Sequence, residues 1–234
     1  MKNRLQSNGV LGTLAALAGA MVLATGAMAD MIVVNGDFES PALSVTGQWY
    51  TATSGVLPSS WGGWTFATSG NSSGNGIVRG AGGVDSPDFP HLLSGNMQAA
   101  FVEGTGTFSQ TISGFVAGTA TVSFEGEGRN PNLAGTLIGP NSVQVTLDGV
   151  PLLFGGVNSV TPAYGALQSF TSDLFAVTAG THTLAFTGLL PYGGTPTYPM
   201  SVIDNISIAN ETIPEPTTLG LLGLGLLGLM RRRK

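Results

Sequence analysis

The side chain whose setting most clearly calls for a chemical partner is Asp204. It lies in the last strand-like run, where the two-residue period of a strand predicts one shared face with Val202, Ile206 and Ile208. A carboxylate among apolar neighbours must be hydrogen-bonded, paired or neutralised. Between the two chain ends there are only two arginines and no lysine, so backbone N–H groups or a bound cation remain. Calcium suits such a site, because it takes oxygen ligands from carboxylates, amides and carbonyls.

Aromatic residues in predicted loops are a second kind of candidate. A sugar ring stacks its C–H face on an aromatic side chain, and its hydroxyls need polar partners. The candidates for a carbohydrate-binding platform are Trp49, Tyr50, Tyr192 and Tyr198. Ordinary packing of loop side chains explains each of them equally well. Trp61 and Trp64 lie in a predicted strand, and we expect them to pack in the core.

The sequence gives little support for catalysis, and we expect that the protein is not an enzyme. His91 lies near Asp85 and Asp88, but their spacing is not that of a zinc site. His182 lies in a predicted strand and is expected to face solvent. The sequence contains no cysteine and no phosphate-binding loop. Its one Gly-x-Ser-x-Gly spacing, residues 70–74, lies in an irregular Gly- and Ser-rich stretch and not in the strand–turn–helix context of a nucleophile elbow. Paired carboxylates for glycoside hydrolysis stay open, because their proximity is spatial rather than sequential. The carboxylates to test for it are Glu103, Glu125 and Glu127.

The elements that must position these residues read as β-strands. Short β-rich runs are separated by Gly, Pro, Asn and Ser, and helical periodicity is hard to find between residues 30 and 210. The predicted strands are 31–35, 61–66, 97–102, 107–112, 119–125, 143–147, 150–154, 170–177, 181–187 and 201–209. The pattern predicts an all-β fold, a single β-sandwich domain over residues 30–210. Residues 68–93 form the longest irregular stretch.

The N-terminus reads as an export signal. Lys2 and Arg4 precede an apolar run over residues 10–22, and Ala27-Met28-Ala29 is a small-x-small cleavage site. These features predict a secretory signal peptide over residues 1–29. The alternative is an N-terminal membrane anchor.

Charge is distributed unevenly along the chain. Residues 30–213 contain two arginines and 12 acidic residues, which gives this body a net charge of −10. Such a body repels phosphate backbones, so we expect no nucleic-acid partner. It favours cations, including divalent metal ions.

The C-terminal tail has the composition of a membrane segment. Residues 217–230 are almost entirely apolar, and four basic residues follow them. These 14 residues would make a helix of about 21 Å, against roughly 30 Å of hydrocarbon in a bilayer. The segment is therefore short for a stable span, and its basic end would stay cytoplasmic. The alternative is a helix buried in the protein.

The tail resembles the PEP-CTERM protein-sorting signal of Gram-negative bacteria. The matching parts are the motif Pro214, Glu215 and Pro216, the apolar run 219–230, and the basic cluster Arg231, Arg232, Arg233 and Lys234. The resemblance implies recognition by an exosortase, removal of the tail near the motif, and export linked to extracellular polysaccharide. It also implies an inner-membrane intermediate, followed by the cell surface or the extracellular matrix.

The body resembles the galactose-binding-like jelly roll of many extracellular carbohydrate-binding modules. The shared order runs from the opening segment 34–39 through Trp61–Trp64 and the 145–149 hairpin to the closing segment 203–208. In that family a structural calcium is commonly held where the first and last strands meet. The resemblance therefore implies Glu39 and Asp204 as metal ligands, assisted by Asn35 or Asp37.

Together these features predict non-catalytic binding of polysaccharide in the extracellular matrix. The alternative is a structural or adhesive matrix protein that binds other proteins or itself. A concave, aromatic-lined cleft would favour the first function, and a flat exposed strand edge would favour the second.

Overall fold

The described residues form an all-β, jelly-roll β-sandwich, as the sequence predicts. The structure is a computed structural model. It describes residues 28–31, 33–43, 48–51, 60–67, 74–79, 89, 98–132, 138–191, 197–212 and 225. Two sheets pack face to face, and their inward side chains form the core.

The strands are numbered in chain order. They are β1 (Met28–Met31), β2 (Gln48–Thr51), β3 (Ser60–Trp61), β4 (Trp64–Ala67), β5 (Asn75–Arg79), β6 (Gln98–Glu103), β7 (Thr107–Phe115), β8 (Gly118–Gly128), β9 (Ile138–Gly139), β10 (Val143–Leu147), β11 (Val150–Pro151), β12 (Gln168–Thr171), β13 (Phe175–Val177), β14 (Gly180–Gly188) and β15 (Tyr198–Thr212). The larger sheet has the order β12-β8-β15-β6-β5-β2. In addition, β1 and β9 each pair with β15, and β13 pairs with β8. The smaller sheet has the order β11-β10-β14-β7-β4-β3.

The core is built by alternation along the strands and by a cluster of aromatic rings. In β10, Val143, Val145 and Leu147 are buried and the residues between them are not. The rings of Phe108 and Phe186 stack 5.0 Å apart between the paired strands β7 and β14. Trp64 packs against them and is fully buried, and Trp61 is 7% exposed, so the core role predicted for both tryptophans is confirmed.

Three predicted strands differ from the observed ones. The run 61–66 is a hairpin rather than one strand, because Gly62 and Gly63 take positive φ values of 58° and 88° between β3 and β4. The run 170–177 is two short strands, β12 and β13, interrupted at residues 172–174. The predicted first strand 31–35 is wrong at its end, because residue 33 is not in a strand and residues 34–37 form a turn.

The predicted hairpin after β10 is confirmed. Asp148 and Gly149 have φ values of 51° and 79°, as a two-residue hairpin turn with positive φ at both central positions requires. The returning strand β11 is only two residues long, shorter than the predicted 150–154.

A β-bulge in β15 overturns the predicted face of Asp204. Asp204 pairs with Glu125 and Ser207 pairs with Ser123, so β15 holds one extra residue at this point. The extra residue lies around Asn205, whose φ is 51°. The bulge moves Ile206 and Ile208 to the face of the main core. Asp204 stays on the opposite face with Val202, which packs in a second cluster of apolar residues.

The ends of the sandwich lie close to the predicted domain boundaries. β1 pairs with the end of β15 and spans the predicted cleavage site after Ala29. β15 runs to Thr212, at the edge of the predicted sorting segment. In the part of the chain that the structure describes, no helix has the length and hydropathy to cross a membrane.

Candidate functional site

The turn formed by residues 34–40 carries three of the four predicted metal ligands, and its side chains are held by local hydrogen bonds. The amide of Asn35 accepts the N–H of Ser40 at 2.8 Å and donates to its carbonyl at 2.6 Å. The indole of Trp64 donates to the Asn35 carbonyl at 3.0 Å, which ties the turn to the core. Asp37 is exposed and accepts the N–H of Glu39 at 3.4 Å. Asn35 therefore shapes the turn through both ends of its amide.

The turn meets the bulge of β15, so the structure brings Glu39 and Asp204 to the same corner of the sandwich. Ile206 donates its N–H to the carbonyl of Gly36 at 2.9 Å. A Cβ at Gly36 would collide with the Ile206 carbonyl oxygen, so this approach requires glycine. Glu39 accepts the N–H of Gln98 at 2.8 Å, where β6 begins beside β15.

Asp204 is 2% exposed and accepts the N–H of Asn205 at 2.8 Å. A backbone N–H thus supplies part of the stabilisation that its buried carboxylate needs. Asn205 also donates through its side chain to Glu125 at 2.7 Å. Among the described residues, no three His, Asp or Glu side chains lie close enough together to hold a metal ion. A calcium ion here would have two carboxylates, those of Glu39 and Asp204, and would take its other oxygens from the backbone. The calcium site therefore stays a prediction.

Of the four aromatic candidates, the structure describes Tyr198 and the backbones of Trp49 and Tyr50. Trp49 and Tyr50 lie in β2, where their backbones pair with Val78 and Ile77. Tyr198 is half-buried at the start of β15. Tyr192, like His91, lies outside the described residues, so the carbohydrate-binding platform stays a prediction.

The carboxylates suggested for catalysis have structural partners. Glu103 lies 3.6 Å from the guanidinium of Arg129. Burial raises the pKa of Glu103, and the nearby Arg129 acts in the opposite direction. Glu127 is fully buried, and Glu125 accepts the hydrogen bond from Asn205 described above.

His182 does not face solvent, contrary to the expectation from its strand position. Its Nδ1 lies 2.6 Å from Asp148 and its Nε2 lies 2.9 Å from the carbonyl of Thr178. Its ring packs edge-on against Phe115 at 4.9 Å. The hydrogen bond to Asp148 raises the pKa of His182. The pKa of Asp148 is lowered by the N–H of Thr183 and then by His182.

The His182–Asp148 pair lies at one end of a cleft of about 400 Å³ between the edges of the two sheets. Leu147, Leu152 and Val177 form its buried walls. Three aliphatic side chains on its rim are unusually exposed: Val150 (65%), Leu153 (45%) and Leu174 (69%). Such a lining suits an apolar occupant. The sequence did not reveal the cleft, because its two walls come from edge strands of different sheets.

The outer face of the smaller sheet has a second distinctive surface, which we call the hydroxyl face. Its residues alternate with the core residues of β3, β4, β7, β10 and β14. They are Ser60, Thr65, Ala67, Thr107, Ser109, Thr111, Ser113, Gln144, Thr146, Thr181, Thr183, Ala185 and Thr187. None of these described residues is charged. The alternating Thr and Ser of residues 107–113 and 181–187 could have revealed this face in the sequence.

The hydroxyls of this face are ordered by the register of β7 and β14. Thr107 pairs with Thr187, and their hydroxyl oxygens lie 3.0 Å apart. Thr111 pairs with Thr183, and their hydroxyl oxygens lie 3.4 Å apart. Neighbouring positions repeat at roughly 4.8 Å between strands and roughly 6.7 Å along a strand. In each pair one hydroxyl hydrogen and several lone pairs remain for an outside partner.

Comparison with known families identifies the tail. Residues 212–234 match the PEP-CTERM protein-sorting motif, and the resemblance drawn from the sequence is confirmed. The motif implies export from a Gram-negative bacterium with exosortase processing at the membrane. The match begins at the residue where β15 ends, so the sorting segment directly follows the sandwich.

Comparison with solved structures concerns the sandwich. No curated protein matches the chain in sequence. The chain is similar to a Stig cyclase from Fischerella sp. TAU solved with an indole compound, with a TM-score of 0.53 and 16% identity over 80% of this chain and 100% of that one. It is also similar to the CBM36-1 domain of a xylanase from the hindgut metagenome of Trinervitermes trinervoides, with a TM-score of 0.40 and 13% identity over 64% and 99%. A CBM22-1 xylan-binding domain from Paenibacillus barcinonensis has a TM-score of 0.39 and 11% identity over 65% and 88%. At 16% identity, the likeness to the cyclase shows a shared fold and carries no argument about activity.

Proposed function

We propose that the protein is an exported, exosortase-processed β-sandwich that binds a neutral polysaccharide of the extracellular matrix through its hydroxyl face, without catalysis. The observation that carries the proposal is the chemistry of this face. Its described residues are Thr, Ser, Ala and Gln, on a body whose net charge is −10. An uncharged face on an acidic body fits an uncharged partner.

The hydroxyl face suits a sugar polymer for three physical reasons. Hydroxyls both donate and accept hydrogen bonds, as sugar hydroxyls do. Removing water from a hydroxyl costs far less than removing it from a charge. The sheet also fixes the side chains before binding, which lowers the entropy cost of association. Each contact is weak, and a repeating polymer adds many of them.

The adhesive alternative has less support from the described strand edges. Self-association through a sheet needs a long exposed edge strand. The two edge strands of the smaller sheet, β3 and β11, are two residues long. The cleft is lined mainly by aliphatic side chains, and Phe175 is the only phenyl ring among its described lining residues, so the aromatic lining expected of a sugar-binding groove is not found there.

Retention on the host's own exopolysaccharide tests the proposal. The double variant Thr111→Glu/Thr183→Glu adds two charges at the centre of the hydroxyl face. We expect at least about tenfold weaker binding, because the charges lose water without gaining a partner. The matched control Ser169→Glu/Ser207→Glu places the same charges on exposed residues of the larger sheet and should bind like the natural protein.

Equal retention of the two double variants, both shown by thermal melting to be folded, would contradict the proposed face. Loss of binding in Trp49→Ala or Tyr192→Ala, with full binding by the hydroxyl-face variant, would move the site to the aromatic platform. No retention of the natural protein on any matrix polysaccharide would favour the adhesive alternative.

A further inference from the structure

The last described residue of β15 lies close to the apolar cleft. Thr212 pairs with Gly118 at the start of β8, and Gly118 pairs on its other side with Val177 of β13. Two strand spacings separate Thr212 from Val177, which is about 10 Å. Val177 lines the cleft. The sorting segment therefore starts two strands from the cleft wall.

The apolar part of the sorting segment is within reach of the cleft. Six residues separate Thr212 from Leu219, where the leucine- and glycine-rich run begins. A linker of this length spans up to roughly 24 Å when extended. The run then has ample length to lie along the exposed rim residues Val150, Leu153 and Leu174.

The charges of the tail and of the cleft rim also favour binding of the tail in the cleft. The tail ends in four basic residues, 231–234, and these follow directly after the apolar run. Two exposed carboxylates, Asp148 and Asp173, lie in the lining of the cleft. Asp148 is paired with His182, which also lines the cleft, so Asp173 contributes most of the negative charge on the rim. An apolar segment with a basic end thus complements an apolar cleft with an acidic rim. An anionic membrane surface is a poorer partner for this acidic body.

From these observations we propose that the cleft is the docking site for the protein's own C-terminal segment, residues 219–230, when that segment is outside the bilayer. As a helix the segment would be about 18 Å long, about two fifths too short for the roughly 30 Å of hydrocarbon, so its insertion is weak and a nearby apolar site competes with the membrane. Docking would hold the Pro-Glu-Pro motif against the sandwich, so exosortase would meet only the inserted form. The inference uses the sorting motif and does not depend on the polysaccharide-binding face.

Hydrogen exchange of the chain from residue 30 to residue 234, in buffer without detergent, tests the proposal. The reference is the same chain ending at Thr212, which retains the whole of β15. We expect at least about tenfold slower amide exchange over residues 147–153 and 173–178 in the longer chain. Leu174→Asp should return this exchange to the rate of the shorter chain. The control Leu189→Asp changes another exposed leucine, which does not line the cleft, and should keep the protection.

Three results would overturn the docking. Equal exchange in the two chain lengths would show that the tail does not bind the cleft. Protection that persists in Leu174→Asp would show that the tail binds elsewhere. Protection that grows with protein concentration would show that the tail of a second copy, and not the protein's own tail, occupies the cleft. Phosphatidylcholine vesicles should remove the protection as the segment inserts; protection that survives an excess of vesicles would contradict competition with the bilayer.

Discussion

At the scale of single residues, His182 shows how a local contact can depend on pH. Both of its ring nitrogens face acceptors, the carboxylate of Asp148 and the carbonyl of Thr178. Both can be satisfied only when both nitrogens carry hydrogen, that is, in the imidazolium form. The pair connects the turn after β10 to the turn before β14. Protonation therefore holds together two loops that border the cleft.

Titration of His182 should make stability fall as pH rises. Its pKa is raised in the folded state, chiefly by the hydrogen bond to Asp148. Its contribution is therefore fully present below the unfolded value of about 6.5 and is lost as pH rises through the higher folded pKa. Urea unfolding between about pH 6 and about pH 9 measures this loss. His182→Gln should remove the step, and the control His91→Gln should keep it. An unchanged pH dependence in His182→Gln would contradict the assignment.

The partner of this histidine titrates in the opposite sense. The pKa of Asp148 is lowered, first by the N–H of Thr183 and then by His182. Its contribution is present above the ordinary value of 3.8 and is lost as pH falls through the lower folded pKa. The contact is therefore strongest in mildly acidic solution, between the two titrations.

At the scale of elements, the corner between the 34–40 turn and the bulge of β15 is where we predict a structural calcium. The jelly-roll resemblance implies the ion, and Glu39 and Asp204 are the carboxylates that the fold brings to this corner. Each accepts a backbone N–H, so a folded corner without metal is the competing account.

Chelation should separate the two accounts. If calcium is bound at a hundredfold excess over its Kd, its removal costs about 2.7 kcal/mol. For a domain of this size that lowers the melting temperature by roughly 5–11 °C. Asp204→Asn should melt alike in calcium and in chelator, and the control Glu125→Gln should keep the response. Identical melting of the natural protein in both conditions would exclude the ion.

The elements also show how far the sequence predicts the structure. Clear alternation, as in β8, β10 and β14, predicted strands and their buried faces, because the period of two is a direct result of strand geometry. The bulge at Asn205 was missed, since one inserted residue leaves the local β-like composition unchanged while reversing the faces around it. The hairpin at Gly62 and Gly63 was missed, because the sequence alone does not distinguish a pair of glycines inside a strand from a pair of glycines in a turn.

The candidate sites were predicted less well than the strands. The resemblance pointed to Asp204 and Glu39 as metal ligands. The turn that holds Glu39 does meet the bulge beside Asp204, and the role of the two carboxylates as ligands stays a prediction. The cleft depends on the separation of two sheet edges, and no local pattern records that distance. Alternating Thr and Ser residues in the sequence already indicate the hydroxyl face. The sequence prediction of sugar-binding residues rested on aromatic side chains and therefore did not include it.

At the scale of the whole molecule, the chain joins two surfaces for which we propose different tasks. The sorting motif starts where β15 ends, at the same end of β8 that β13 and the cleft share. The hydroxyl face lies on the outside of the smaller sheet, whereas β15, which leads to the sorting segment, belongs to the larger sheet. A protein held at the membrane by its tail would therefore keep its uncharged face available to the matrix.

The central claim is that the hydroxyl face contacts neutral polysaccharide, and methyl NMR of the purified domain tests it most directly. Oligosaccharides released from the host's exopolysaccharide would be titrated into protein labelled at threonine and alanine methyl groups. The account predicts that shifts concentrate at Thr107, Thr111, Thr183, Ala185 and Thr187, and that added salt changes them little, because no charge pair is formed. Shifts confined to methyl groups of the larger sheet, with those five unchanged at saturating ligand, would contradict it.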